Sequence, residues 1–192
     1  MSRAIQIRVS ESVVRTVHVE DGVQSSLEML PILGRERQAE LLAAELEKQG
    51  FTRDGQDGKG GKVVRRKDKD GIEITVDLET ATVTVRLGAD ADLAETVERR
   101  ANVGIERRDE AETSLRDDVM RDLDERLAQR TEALRREVTQ RLERKLGDLR
   151  KELDEAVGRA TVAALTEKAA SLGHIESVVA DDAGNVAIKV KL

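Results

Sequence analysis

Aliphatic residues recur along the second half of the chain with a step of fifteen. Val119, Leu134, Leu149 and Ala164 form one set, Leu123, Val138 and Leu153 a second, and Leu127, Leu142, Val157 and Leu172 a third. Four turns in fifteen residues is about 3.75 residues per turn, slightly more than a straight α-helix. A seven-residue repeat would impose a left-handed supercoil, whereas this longer one favours straight or right-handed winding. The stretch from about Asp90 to Leu172 is therefore expected as one very long amphipathic helix or two in series. A stripe of this kind must be buried against another helix, its own or a copy's. The seam residues are Val119, Leu123, Leu127, Leu134, Val138, Leu142, Leu149, Leu153 and Val157.

Upstream the period changes to two. Ile5, Ile7 and Val9 alternate with polar residues, as do Val13, Val17 and Val19. With Ser10-Glu11-Ser12 between them and Glu20-Asp21-Gly22 after, this predicts an antiparallel pair with one wet face. The apolar run Leu27 to Leu33, broken by Pro31, reads as a buried connector. A helix follows from Arg35 to Gln49, with Leu41, Leu42 and Leu46 on its face and Gly50 as a left-handed stop. Residues 53–70 are rich in Gly, Asp, Lys and Arg and read as a loop. Ile72, Ile74 and Val76 then alternate, as do Val83, Val85 and Leu87, around a turn at Leu78-Glu79-Thr80. Asp92 with Glu95 three residues on has the form of a capping box, placing a helix start there. Asn102-Val103-Gly104 is its expected interruption. Gly147 and Gly158 are expected inside the helix, as points of close helix approach, with a reversal at Gly147 as the alternative. Gly173 ends the helix. His174 to Val179 and Val186 to Val190 then form a hairpin around Asp181 to Asn185.

The expected fold class is α+β: residues 1–88 as a small antiparallel-sheet domain with one helix, 89–173 as a long helical or coiled-coil segment, and 174–192 as a β-hairpin. An isolated hairpin is marginal in water. An unbroken helix of about 65 residues spans roughly 100 Å. Unless the helix bends, the hairpin would then have to pair with a copy or a different protein.

Composition narrows the function. Charged residues make up 38% of the chain and aromatics 1%, which suits a narrow Leu/Val/Ala seam rather than a thick core. The net charge of −6 argues against general affinity for nucleic acid. Basic clusters such as Arg135-Arg136 and Arg150-Lys151 are interleaved with Glu137, Glu152 and Asp154-Glu155, the pattern of a solvated helix face. With no cysteine there is neither disulfide nor thiol chemistry. The absence of a signal peptide or bilayer-spanning run predicts a cytoplasmic, soluble chain.

Candidate chemistry fails on inspection. Gly55 to Val63 resembles a phosphate-binding loop, but Gln56 and Val63 stand where Gly and Ser or Thr are needed. Asp68-Lys69-Asp70-Gly71 resembles the middle of a calcium loop, but Arg66 holds the first ligand position. Asp181, Asp182 and Asn185 are ordinary turn residues. His18 reads as surface and His174 as a helix-end residue. Carboxylates abound on the long helix, yet none sits in an evident apolar pocket. No catalytic, cofactor-binding or metal-ligating residue is expected, and the chain reads as non-enzymatic.

The segments "DGIEITVDLETATVTVRL" and "HIESVVADDAGNVAIKVKL", set around a long charged helix, resemble the accessory proteins of bacterial FtsH-type ternary systems. Those proteins accompany AAA+ ATPases and von Willebrand-type domains. The resemblance implies a non-enzymatic partner of an AAA+ ATPase or its associated proteins, and it transfers no functional residue. The expected function is a scaffold that self-associates as a homo-oligomer through the helix and docks partners through its β ends. Two alternatives stand beside it. One is an ATPase regulator acting through the N-terminal domain with the helix as spacer; the other is an Arg-dependent nucleic-acid binder.

Overall fold

The computed structural model describes residues 4–54, 61–180 and 186–191. Gly55 to Gly60 and the Asp181 to Asn185 turn, both considered above, lie outside the described residues. The elements in order are β1 (Ala4–Ser26), α1 (Arg35–Lys48), β2 (Thr52–Arg53), β3 (Val63–Lys67), β4 (Glu73–Asp77) and β5 (Thr82–Gly104). A 3-10 turn (Ile105–Arg107) leads into α2 (Arg108–Leu172), followed by β6 (His174–Ala180) and β7 (Val186–Lys191). Five strands form one antiparallel sheet in the order β1-β5-β4-β3-β2; β6 and β7 form a second. The class is α+β as expected, with one long helix and a C-terminal hairpin.

Three stretches differ from expectation, the first being Val63–Lys67, a strand paired with β4 inside the expected loop of 53–70, where Val64 is buried. Residues 4–26 are one strand of 23 residues rather than a hairpin. Ser10-Glu11-Ser12 contains no Gly, Pro, Asn or Asp to turn the chain. The inward phase also never breaks, since Ile5, Ile7, Val9, Val13, Val17 and Val19 are all odd-numbered. Residues 89–104 are likewise strand rather than helix. Ala89, Ala91, Leu93, Val97, Ala101 and Val103 keep the odd phase begun at Val83, so the period is two. Asp92 and Glu95 accordingly cap nothing; Thr16 donates to Asp92 across the sheet at 2.6 Å, and Arg130 pairs with Glu95 at 2.6 Å.

By contacts the chain divides into two compact units, Met1–Asp21 with Gly88–Gln140, and Gly22–Leu87 with Arg141–Leu192. In the first, side chains of β1 and β5 meet in antiparallel register: Ser12 with Thr96, Thr16 with Asp92, and His18 with Asp90. Ile7, Val9 and Val97 on the inner face pack with Leu115, Val119 and Leu123 of α2. Ion pairs flank this core, Arg99 to Asp122 at 2.7 Å and Arg116 to Glu11 at 3.4 Å.

In the second unit the inward residues are Val64, Ile74, Val76, Val83 and Val85 from the strands. Leu42, Leu46, Phe51, Leu142, Leu149 and Leu153 are buried there too. Past Leu153 the buried face of α2 narrows to Ala156, Ala160, Ala164 and Ala169. Helix α1 runs antiparallel to this stretch, as successive contacts show: Arg37 to Glu167, Glu45 to Arg159, and the Gln49 amide to the Glu152 carbonyl. Small side chains let the two backbones come close. The connector before α1 is only half-buried, and Leu30 is 62% exposed.

Helix α2 passes through Gly147 and Gly158 without a break. A Cβ at either would meet nothing within 4 Å, so neither is a point of close approach. The hairpin β6–β7 belongs to the same compact unit as Gly22–Leu87, although α2 is unbroken. Strand β5 leaves that unit and α2 returns to it, a path that the helical assignment of 89–104 had concealed.

Candidate interaction site

The seam residues are placed inside the chain. Val119, Leu123, Leu127 and Val138 are buried in the first unit, and Leu142, Leu149 and Leu153 in the second; Leu134 and Val157 are half-buried. The partners of Val119 and Leu123 are strand residues of the same chain. At Val119 and Leu123 the stripe thus meets a sheet where a helix was expected.

One part of it opens outward. Leu146, Leu149, Leu153 and Val157 of α2, with Val23, Leu27, Val83 and Val85, line a groove of about 670 Å³. Leu146 was not placed on the stripe by the fifteen-residue step. Its signal is the simpler one of lying a helical turn beyond Leu142. Arg150 and Asp154 stand at the rim, giving an apolar floor with charged edges.

The hairpin is the second open surface. Its register pairs Ile175 with Val190, Val178 with Ile188 and Val179 with Ala187, with a bulge at Glu176. The bulge sets Ile175 and Val178 on the same face as Val186, Ile188 and Val190. Ile175, Val186, Ile188 and Val190 of that face are half-buried, whereas Val178 on it is 44% exposed and Val179 on the other face 60% exposed. No other strand among the described residues pairs with β6 or β7. Strand β7 carries Lys189 and Lys191 on the opposite face, and Lys189 pairs with Glu176 at 2.9 Å. Gly173 is required where helix meets hairpin, because a Cβ there would run into the Lys191 carbonyl.

Two charge clusters tie α2 to the rest of its unit. Arg66 forks onto both oxygens of Glu152, at 2.7 Å through Nη2, and its guanidinium lies 4.5 Å over the Phe51 ring. The pairing holds the Glu152 carboxyl below, and the Arg66 guanidinium above, their ordinary ranges. Glu45 is 8% exposed and is held low chiefly by the hydrogen bond from Lys48, with Arg159 adding to it against the opposing effect of burial. These pairs are structural, since neither opens on an apolar pocket with a nucleophile. Asp68, noted for its likeness to a calcium loop, accepts from the Asp70 and Ile72 amides in the β3–β4 turn. Among the described residues no three His, Asp or Glu side chains group to hold a metal ion.

A family model described as FtsH ternary system domain X5 matches residues 1–192. The chain belongs to that family. No characterised protein and no solved structure matches it. As an X5 domain the chain has an accessory place in an FtsH ternary system, in keeping with the resemblance carried by its two hairpins. No helix of the X5 domain, among the described residues, is long and apolar enough to cross a membrane.

Proposed function

We propose that this X5 domain is a non-catalytic adaptor that docks a partner of the AAA+ ATPase system through its C-terminal hairpin. The observation that carries this is a two-stranded sheet whose outer edges pair with no described strand and whose Val178 and Val179 lie open. An extended segment adding to such an edge gains backbone hydrogen bonds, and alternate side chains supply selectivity. Replacing Val178 and Val179 with Asp should abolish co-purification with the system's ATPase components while leaving the melting temperature within about 2 °C, the change expected of exposed positions. Retained co-purification would refute hairpin docking.

Self-association through the long helix is the second reading, and the open groove favours its Leu146 to Val157 portion. A copy's apolar segment would lie along the half-buried Leu146 and Val157 at the mouth of the groove. Leu146→Asp with Val157→Asp should then return an oligomer to monomer mass by light scattering. A wild-type chain that is already monomeric at high concentration removes this reading.

A further inference from the structure

The sheet of the second unit has another face. The alternation that turns Val64, Ile74, Val76, Val83 and Val85 inward turns Arg65 and Lys67 of β3, Glu73 and Thr75 of β4, and Thr84 and Arg86 of β5 the other way. Strand register lays them in two rows. Arg65, Thr75 and Thr84 stand side by side in one, and Lys67, Glu73 and Arg86 in the next. Strands lie about 4.8 Å apart and same-face residues about 7 Å apart along each, so the six cover a small patch. They line a concavity of about 840 Å³.

One carboxylate sits between cations. Glu73 receives Lys67 Nζ at 2.8 Å. Its carboxyl is held below the usual range by that hydrogen bond first and by the Lys67 charge next, with Arg65 and Arg86 adding to both. Arg65 also reaches Asp54 at 2.9 Å at the patch edge. A Cβ at Gly22 of β1 would come within 2.9 Å of the Val85 carbonyl oxygen and 3.1 Å of Arg86 Cγ, so the bare backbone there accommodates the β5 backbone and the arginine stem together. The patch sets Arg65, Lys67 and Arg86 against the Glu73 and Asp54 carboxylates, a local excess of basic residues in a chain with 39 acidic and 33 basic.

We propose that this open sheet face binds a run of linked phosphate groups, which displace the Glu73 carboxylate from its place among Arg65, Lys67 and Arg86. Guanidinium forks match pairs of phosphate oxygens, and the Thr75 and Thr84 hydroxyls supply neutral donors beside them. The volume suits a small ligand. No aromatic ring among the described residues is available on the face to stack a nucleobase, because Phe51 is buried with Arg66 over its ring. The same phosphate chemistry comes from an inorganic chain or from the tail of a nucleotide.

Isothermal titration of the full chain at low salt, with inorganic tripolyphosphate, ATP and a hexaglutamate peptide, tests it. Tripolyphosphate should bind and hexaglutamate should not. ATP binding more tightly than tripolyphosphate names the nucleotide as source; weaker ATP binding names the inorganic chain. Arg86→Gln should lower affinity about tenfold, the effect of losing one charge-assisted pair. Glu73→Gln should raise it several-fold by removing the competing carboxylate. Silence with both phosphate compounds, equal binding of hexaglutamate, or an unchanged affinity in Glu73→Gln would overturn the proposal. Thermal melts check that each variant is folded.

Discussion

Leu123→Ala distinguishes a stripe buried within one chain from a stripe buried between chains. Leu123 is almost fully enclosed and packs in the cluster with Ile7, Val9, Val97, Leu115 and Val119. Truncating an enclosed Leu to Ala costs about 3 kcal/mol, combining lost transfer energy with the cavity left behind. For a chain of this size each kcal/mol lowers the melting temperature by roughly 2–4 °C, so the transition of the first unit should fall by about 6–12 °C. Half-buried Leu134→Ala should cost less than half as much. Scanning calorimetry over a fiftyfold range of protein concentration is the assay. An intramolecular core makes the wild-type transition independent of concentration, whereas a seam between copies raises it with concentration. A concentration-dependent melt, with a mass that drops in Leu123→Ala, would refute the intramolecular account.

Other expectations follow from particular side chains. Glu152 has its folded carboxyl held low by Arg66, so its contribution to stability is complete above the ordinary carboxylate range near 4.5 and is lost as pH falls through the folded value. Glu152→Gln should therefore flatten that acid limb in urea titrations. At neutral pH it should cost about 1–2 kcal/mol, discounted for the partial exposure of the pair; an unchanged acid limb would count against the assignment. Gly147→Ala should stabilise by about 0.5–1 kcal/mol, since the site is helical and a Cβ meets nothing there; a lower melting temperature would mean that the helix face is occupied. Gly173→Ala should loosen the hairpin, seen as faster amide exchange in Val186 to Lys191, and unchanged protection would sink the claim of a close approach.

Much of the fold can be read from side-chain period. The α1 helix shows in Leu42 and Leu46, the β4–β5 hairpin in Ile74, Val76, Val83 and Val85, and β6–β7 in the alternation on either side of Asp181 to Asn185. The misread stretches fail for different physical reasons, and at 63–67 the run of Lys and Arg around Val63 and Val64 hides a short strand. At 10–12 a polar triplet looks like a turn, although its only turn formers are two serines, which act more weakly than Gly, Pro, Asn or Asp. At 89–104 alanine, a strong helix former depleted in strands, dilutes the alternation, and Asp92 and Glu95 fall by chance at capping distance. The stripe on α2 was plain, but its destination was not. Periodicity says that a face must be covered, and it is silent on whether a helix or a sheet covers it. The basic sheet face was missed because Arg65, Thr75 and Arg86 are far apart in the chain, and only strand register makes them neighbours.

Lys189 and Lys191 give the hairpin a chemical lock. An indiscriminate β-forming segment approaching β7 would meet the Lys191 ammonium beside a Lys189 already paired with Glu176, so amyloid-like stacking of one copy on the next is discouraged. A visitor bearing acids at alternate positions, in step with the strand pleat, meets no such barrier. The edge is thereby closed to most comers and open to a guest with the matching cadence of charge.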